Sequence, residues 1–374
     1  MKEKIKKITP KVTEEEVKES SINPGFEVLK NFVESEDHKG TNYGFVVGGD
    51  LEDVEDEYIS TGSVRFDSVL GGGYRPGMSL FYGEAETGKT AQGLVWAKNW
   101  QDKFGEKGLV VFFDAEGRLS KYKIKMSGID MNRFAHYKGN MGERIYDSIE
   151  KTILNNKGNY RYFFILDSID SIVRAEDKVK SFSESNKIAG GAALNSAAYK
   201  RLSAPIHCLG HHLYICSQIR TQNITGKPAG SKASGGKAPM FYGDIVGKIN
   251  KGWSDTYFTD SEGRVIGNKT NMEIMKSYNE TTHYKMDIPI LYKYKGGIWR
   301  EYEAFMVCLE WCWIEKGGAW YSFTDIFKNF VNLAIPDKYD LSKKIQGEKN
   351  LLEFLTENQE LVEFIFAKFK TLTE

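Results

Sequence analysis

Four short apolar runs punctuate the first 220 residues, and each stops at small or polar residues. They cover 78–82, ending at Gly83; 109–113, ending at Asp114-Ala115-Glu116; 160–166, ending at Asp167-Ser168; and 213–216, ending at Ser217-Gln218. Runs of this length, broken only by Ser79 and Arg161, belong to strands buried on both faces, as in a parallel sheet. Helical spacing over 91–104 and 189–202 alternates with them, which predicts an α/β domain with polar residues at the carboxyl edge of its sheet, where ligands bind. Further strands are expected over 270–276 and 284–294. Ahead of the domain, Phe26, Leu29, Phe32 and Val33 recur at helical spacing over 24–36, and a short strand is expected over 43–47. After Gly296-Gly297 the pattern changes to helical tracts over 303–316 and 351–372, the second carrying Leu352, Phe354, Leu355, Leu361, Phe364 and Phe366 among charges. The expected organisation is a charged arm (1–22), an appended helix and strand (23–58), a nucleotide domain (59–295) and a small C-terminal domain (296–374), without internal repeats.

Composition adds exclusions. With 374 residues and 41% hydrophobic content the chain can bury one large core and a smaller one. Lys+Arg and Asp+Glu both number 51, so any basic surface for nucleic acid has to be local. Four cysteines give no disulfide framework. The first residues lack the apolar centre of a signal peptide, and no apolar run is long enough to span a bilayer. A cytoplasmic protein without a membrane partner is expected.

The first chemistry is at Gly83-Glu84-Ala85-Glu86-Thr87-Gly88-Lys89-Thr90, which fits G-x-x-x-x-G-K-[ST], the loop whose N–H groups wrap nucleotide phosphates. It lies between an expected strand and a helix beginning at Ala91, the context that separates this loop from a chance glycine turn. Lys89 would contact the β and γ phosphates of ATP, Thr90 would ligate Mg²⁺, and the helix N-terminus favours anions. Asp167, at the end of another buried run, has the character of the acid that holds the Mg²⁺ shell. Glu116, at a third strand end, is the candidate to polarise an attacking water.

Two stretches read as ligand-facing loops. Residues 175–188 are polar and follow the Asp167 strand. Residues 221–240 carry Lys227, Lys232, Lys237 and four glycines (Gly226, Gly230, Gly235, Gly236) and no acid. Lysines on an acid-free, glycine-rich loop suit a phosphodiester backbone, and this one starts directly after Gln218, Ile219 and Arg220. His207, Cys208, His211, His212 and Cys216 crowd into ten residues and invite a zinc reading. Strand alternation around Cys216 keeps these side chains from converging, so zinc is set aside.

With these residues in hand the chain resembles the RecA family of homologous recombinases over nearly its whole length. Ile59-Ser60-Thr61-Gly62-Ser63 resembles the opening of that family's ATPase core, and Asp114-Ala115-Glu116 its D-A-E. Ser217-Gln218-Ile219-Arg220 is similar to its N-Q-I-R. Gly235-Gly236-Lys237-Ala238-Pro239-Met240-Phe241-Tyr242 resembles the G-G-x-A-x-x-F-Y that closes its second DNA-binding loop. Ile314-Glu315-Lys316-Gly317-Gly318-Ala319-Trp320-Tyr321-Ser322 resembles I-E-K-x-G-A-W-Y-S in its C-terminal domain, and Ile345-Gln346-Gly347 is similar to the I-G-Q-G that follows.

The resemblance implies a RecA-type P-loop ATPase core with a mostly parallel twisted sheet, an N-terminal helix and strand that dock on the adjacent protomer, and a small α+β C-terminal domain. It implies a helical filament on single-stranded DNA, homologous pairing and strand exchange with double-stranded DNA, and DNA-stimulated hydrolysis of ATP with Mg²⁺. Glu116 is then the base, and Gln218 senses the γ phosphate. Nucleotide contacts run from Gly83 through Ala91. The loops 175–188, with Asn186 and Lys187, and 221–240, with Arg220, Lys227, Lys232, Gly235, Gly236 and Lys237, face DNA.

Departures from the family accompany these matches. Glu84 and Glu86 stand where it commonly has Pro and Ser, two acids beside an anionic ligand. Ser120 and Lys123 replace an acid and a tyrosine near adenine, leaving Tyr122 as the aromatic available there. Of two lysines that act across the subunit interface, Lys276 matches the first, while Tyr278 stands at the second. The 323–344 insertion is also unlike the family. These features imply a divergent member of the kind a phage or mobile element encodes, working in the host cytoplasm. Two other readings stay open at this stage: a RecA-fold helicase or regulatory ATPase, and a DNA-coating protein with little turnover.

Overall fold

The computed structural model describes residues 57–179, 190–221, 231–233, 237–250, 257–292 and 297–373. The expected helix at 24–36 and strand at 43–47 lie outside these residues, as do Asn186, Lys187, Lys227, Gly235 and Gly236. Residues 53–374 form one compact unit.

The apolar runs become the strands β1 (Gly77–Gly83), β2 (Gly108–Asp114), β4 (Arg161–Asp167) and β5 (His212–Thr221), joined by β3 (Phe134–Lys138), β6 (Ser231–Ala233), β7 (Ile245–Asn250), β8 (Tyr257–Thr259), β9 (Val265–Lys276) and β10 (Tyr284–Leu291). Eight of them lie in the order β10-β9-β7-β1-β5-β4-β2-β3, with β6 paired to β5 and β8 to β9. From β7 to β3 the pairing is parallel; β9 and β10 extend the sheet antiparallel.

Every residue of β1 is buried, and alternation explains how. Phe81 packs on one face with Trp96 and Trp100 of the helix Lys89–Phe104, while Met78, Leu80 and Tyr82 pack on the other with Ile145, Ile149 and Tyr199. Helices therefore cover both faces, and each fully buried aromatic contributes about 2–3 kcal/mol through area removed from water. Tyr74 stacks on Trp96 at 4.2 Å between centroids, fixing the segment that leads into β1.

The helix expected over 303–316 is shorter, running Arg300–Glu310. Cys312 adopts φ 54°, turning the chain into the strand Ile314–Gly317, which pairs with Trp320–Phe323, itself paired with Ile345–Gln346. Trp313 and Ile314 are buried in this small sheet's core, so their apolar character mimicked a longer helix. The tract 351–372 is two helices, Glu348–Glu357 and Gln359–Thr373, separated at Asn358. Within the 323–344 insertion a helix, Asp325–Ala334, buries Phe327 and Val331 in the same core. Two loop expectations are corrected as well. Residues 175–178 form a helical turn whose first N–H is capped by Glu143 (2.9 Å). The second loop contains β6, which pairs Lys232 with Arg220 in a hairpin, and the short helix Ala238–Tyr242. Among the described residues no helix is long and apolar enough to cross a membrane.

Candidate functional site

The phosphate loop is set by close backbone approach at its start. A Cβ on Gly83 would sit 2.1 Å from the carbonyl oxygen of Ile249 on β7, so only glycine fits. Gly88, at φ +92°, begins the helix Lys89–Phe104. Glu86 also takes a left-handed conformation, φ 63°, which costs a non-glycine residue on the order of 1 kcal/mol. Glu84, Ala85 and Glu86 are all exposed, so the two acids that depart from the family pattern carry their charge in solvent-accessible positions on the loop.

Lys89 is buried, and its ammonium donates to the carbonyls of Gly83 (3.0 Å) and Glu84 (2.6 Å) inside the loop. Burial lowers its pKa, opposed by the nearby carboxylates Asp167, Asp170 and Glu116. An entering phosphate would compete with those two carbonyls for the same protons. Thr90 donates from Oγ1 to Oδ2 of Asp167 at 2.6 Å, although the two residues come from different elements. Burial raises the Asp167 pKa, with the Thr90 hydrogen bond acting against it. A hydroxyl and a carboxylate in contact are hard oxygen donors that suit Mg²⁺, which takes one or two protein oxygens and completes its shell with phosphate and water. These residues fit the ion: Thr90 as direct ligand, Asp167 in contact with it.

Glu116 is positioned from two sides. Asp114, at the end of β2, is buried and accepts hydrogen bonds from the N–H groups of Arg118 (3.1 Å) and Leu119 (3.0 Å) and contacts Nε2 of His136 (3.1 Å), which folds the turn that presents Glu116. The Glu116 Oε1 atom then accepts from Ser168 Oγ (2.9 Å) and from Gln218 Nε2 (3.1 Å). Its Oε2 lies 3.5 Å from Arg118, a largely exposed partner whose pairing is weak in solvent. Gln218 is level with Gly83 in the β1–β5 register, and its backbone N–H donates to Asp170 Oδ2 at 2.6 Å.

Lys89, Thr90, Glu116, Asp167 and Gln218 thus meet at the carboxyl edge of the sheet. Lys276 does not join them. It pairs in register with Val246, which is level with Leu80 on β1, three residues before Gly83 and so about 10 Å back along the strand direction. Its ammonium donates to the carbonyl of Phe241 (2.9 Å). Tyr278 is occupied within its own chain, donating its hydroxyl to the Gly73 carbonyl and lying 4.1 Å beneath the guanidinium of Arg75. Tyr122 stands on the helix Lys121–Ser127 beyond Glu116 and is 56% exposed. Lys237 is exposed at the start of Ala238–Tyr242.

The histidines disperse. His207 pairs with Asp244 (2.7 Å), His212 contacts Ser79 (2.9 Å) and the Arg75 carbonyl (3.0 Å), and His211 accepts from the Tyr162 N–H (3.1 Å). Burial pushes His212 down to about 3 and His211 to about 4, so both are neutral.

Sequence reasoning missed three residues at this edge. Ser168 and Asp170 follow Asp167 as ordinary turn residues, and nothing in their spacing signals contact with Glu116 or Gln218. Tyr292, just after β10, is 46% exposed; partial burial raises the pKa of its hydroxyl, with the charges of Tyr257 and then Glu86 adding to the shift. Its position after a strand carrying Ile288 and Ile290 was the available clue.

Residues 29–298 match the RecA N-terminal domain family. The chain is 26% identical over 368 residues to Protein RecA of Mycoplasma mycoides subsp. mycoides, covering 97% of each chain. It is 24% identical to Protein RecA of Petrotoga mobilis, covering 91% of this chain and 86% of that one. With Protein RecA of Thermotoga neapolitana the identity is 26%, covering 90% and 89%.

Proposed function

The chain belongs to the RecA family, and on that premise we propose that it is an ATP-dependent recombinase that polymerises on single-stranded DNA and pairs it with homologous duplex, hydrolysing ATP as DNA binds. The observation that carries this is the hydrogen bond from Gln218 to Glu116. It joins the foot of the second DNA-facing loop to the carboxylate placed to activate water, beside the phosphate loop.

In this reading Lys89 leaves the Gly83 and Glu84 carbonyls for the β and γ phosphates, and the loop N–H groups close around them. Mg²⁺ bound at Thr90 supplies neutralisation of phosphate charge. Glu116 Oε1 is engaged by Ser168, and by Gln218 until that side chain changes partner, so Oε2 is the atom to take the proton of the attacking water. A γ phosphate offers Gln218 Nε2 a second acceptor, and whichever it chooses changes the strain on the strand that continues through Arg220 into the loop. ATP and DNA then favour the same conformation, which makes their effects reciprocal.

Lys276 cannot serve its own chain's phosphates from the middle of the sheet. Its use is assigned to a neighbouring protomer's nucleotide, where it has to exchange the Phe241 carbonyl for phosphate. Tyr278, already bonded to Gly73, supplies no second cation. The test is electron microscopy of the protein with single-stranded DNA and a slowly hydrolysed ATP analogue. Regular filaments that require both components support the reading, and discrete rings or unassembled protein on bare DNA contradict it.

A further inference from the structure

Asp170 lies in the turn Ile169–Ser171, three residues beyond Asp167. An aspartate in such a turn normally caps a nearby N–H group. This one bonds across the fold instead, to the backbone of Gln218, 48 residues later. Its other oxygen, Oδ1, is buried without a hydrogen-bond partner among the described residues, an arrangement proteins rarely retain because desolvating a carboxylate is costly. The side chain also contributes to the negative field at Lys89, together with Asp167 and Glu116.

The two segments it joins are the roots of the two DNA-facing loops. The turn leads from β4 into 175–188, and Gln218 leads β5 into 221–240. Gln218 is therefore held twice, by its main chain to Asp170 (2.6 Å) and by its side chain to Glu116 (3.1 Å). We infer that Asp170 is a positioning residue: it anchors the main chain of Gln218, so that a change of partner at the Gln218 side chain moves the loop beyond it instead of being absorbed by the strand end. The inference rests on the ATPase reading above for the identity of the signal. The geometry of the anchor is independent of that reading.

A pivot of this kind works only if one end stays fixed while the other exchanges partners. The carboxylate suits the fixed end, because a charge-assisted hydrogen bond to a backbone N–H is stronger than a neutral one. The neutral glutamine amide suits the exchanging end. Asn at position 170 keeps an acceptor for the Gln218 N–H and loses the charge; Ala loses both.

The test has two arms, each on the full-length protein as wild type, Asp170→Ala and Asp170→Asn. In the first, hydrogen exchange is followed by mass spectrometry in peptides spanning 214–221, with and without a slowly hydrolysed ATP analogue. The inference expects exchange in Asp170→Ala to rise about tenfold and to stop responding to the analogue. Affinity for the analogue should stay within about threefold of wild type, and Asp170→Asn should retain most of the protection and the response. In the second arm, ATP turnover with single-stranded DNA should show a lower kcat for Asp170→Ala at little-changed KM, with recovery in Asp170→Asn. Wild-type exchange and response in Asp170→Ala would overturn the inference. So would equal losses in both variants accompanied by a raised KM, the pattern of a merely structural contact. Wild-type protein whose turnover ignores DNA would count against the recombinase reading alone, since the exchange arm still decides the role of Asp170.

Discussion

Gln218 donates from Nε2 to Oε1 of Glu116 at 3.1 Å, so the side chain proposed to sense a γ phosphate is bonded to the one proposed to activate water. Glutamine at position 116 would keep an acceptor for Gln218 and Ser168 but could not take a proton. Glu116→Gln should therefore lower kcat for ATP by about 10²–10⁴-fold, with ATP affinity changed by less than about threefold. Parallel turnover and equilibrium binding measurements check this. Loss of binding together with turnover would mean that Glu116 holds the loop together rather than acting on water.

Glu84 and Glu86 are exposed, and charges in solvent are screened beyond about 10 Å at 0.1 M salt. Replacing both with Ala should tighten ATP binding by about twofold at low salt, an effect that disappears by about 0.5 M. Titration calorimetry at two ionic strengths measures it. A tenfold, salt-insensitive gain would show that the acids face the phosphates.

Lys227, Lys232 and Lys237 populate an acid-free stretch. If all three contact single-stranded DNA, their removal should reduce the slope of log K against log salt by about 2, since each phosphate contact contributes about 0.7. The triple Ala variant, tested by fluorescence anisotropy across a salt series, should bind nucleotide as wild type does. An unchanged slope would move the DNA contact elsewhere.

Glu303 and Asp67 form a buried acidic joint between the C-terminal helix Arg300–Glu310 and the start of the nucleotide domain. Ser63 Oγ and the Arg65 N–H donate to Glu303 Oε1, while Ser60 and Thr61 donate to Asp67. Arg65 and Lys370 are the cations whose charges act here. Burial nevertheless raises Glu303 from 4.5 to about 7 and Asp67 from 3.8 to about 6. Below about pH 3, under the unfolded-chain values of both groups, the folded and unfolded chains are protonated alike at both positions and burial of charge costs nothing. As pH rises toward 7 the unfolded chain releases these protons first, so stability falls, by roughly 3 kcal/mol for Glu303 alone. Glu303→Gln should therefore flatten the decline in Tm between pH 5 and 8 and raise Tm most at the alkaline end. An unaltered pH profile would show that Glu303 titrates normally.

How much was legible in the sequence follows from where each residue's partners lie. The phosphate loop is a local motif between a strand and a helix, and Glu116, Asp167 and Gln218 each end an apolar run, so their place at one sheet edge could be read from alternation. Asp170 and Ser168 could not, because their partners are 48 and 52 residues away and turn residues carry no periodic signal. The joint at Glu303 pairs with Ser63 across 240 residues. At 311–314 the apolar residues Trp311, Trp313 and Ile314 continued the helical pattern while the backbone turned at Cys312. Burial in the small C-terminal core overrode local periodicity there.

In the proposed recombinase, the phosphate loop and the second loop are two ends of one device joined through Gln218. Steady-state ATP turnover, measured with and without single-stranded DNA at saturating Mg²⁺, tests it most directly. DNA should raise kcat by about tenfold or more, and Gln218→Ala should lose that increase while still binding ATP. The same turnover with and without DNA in the wild-type protein would contradict it.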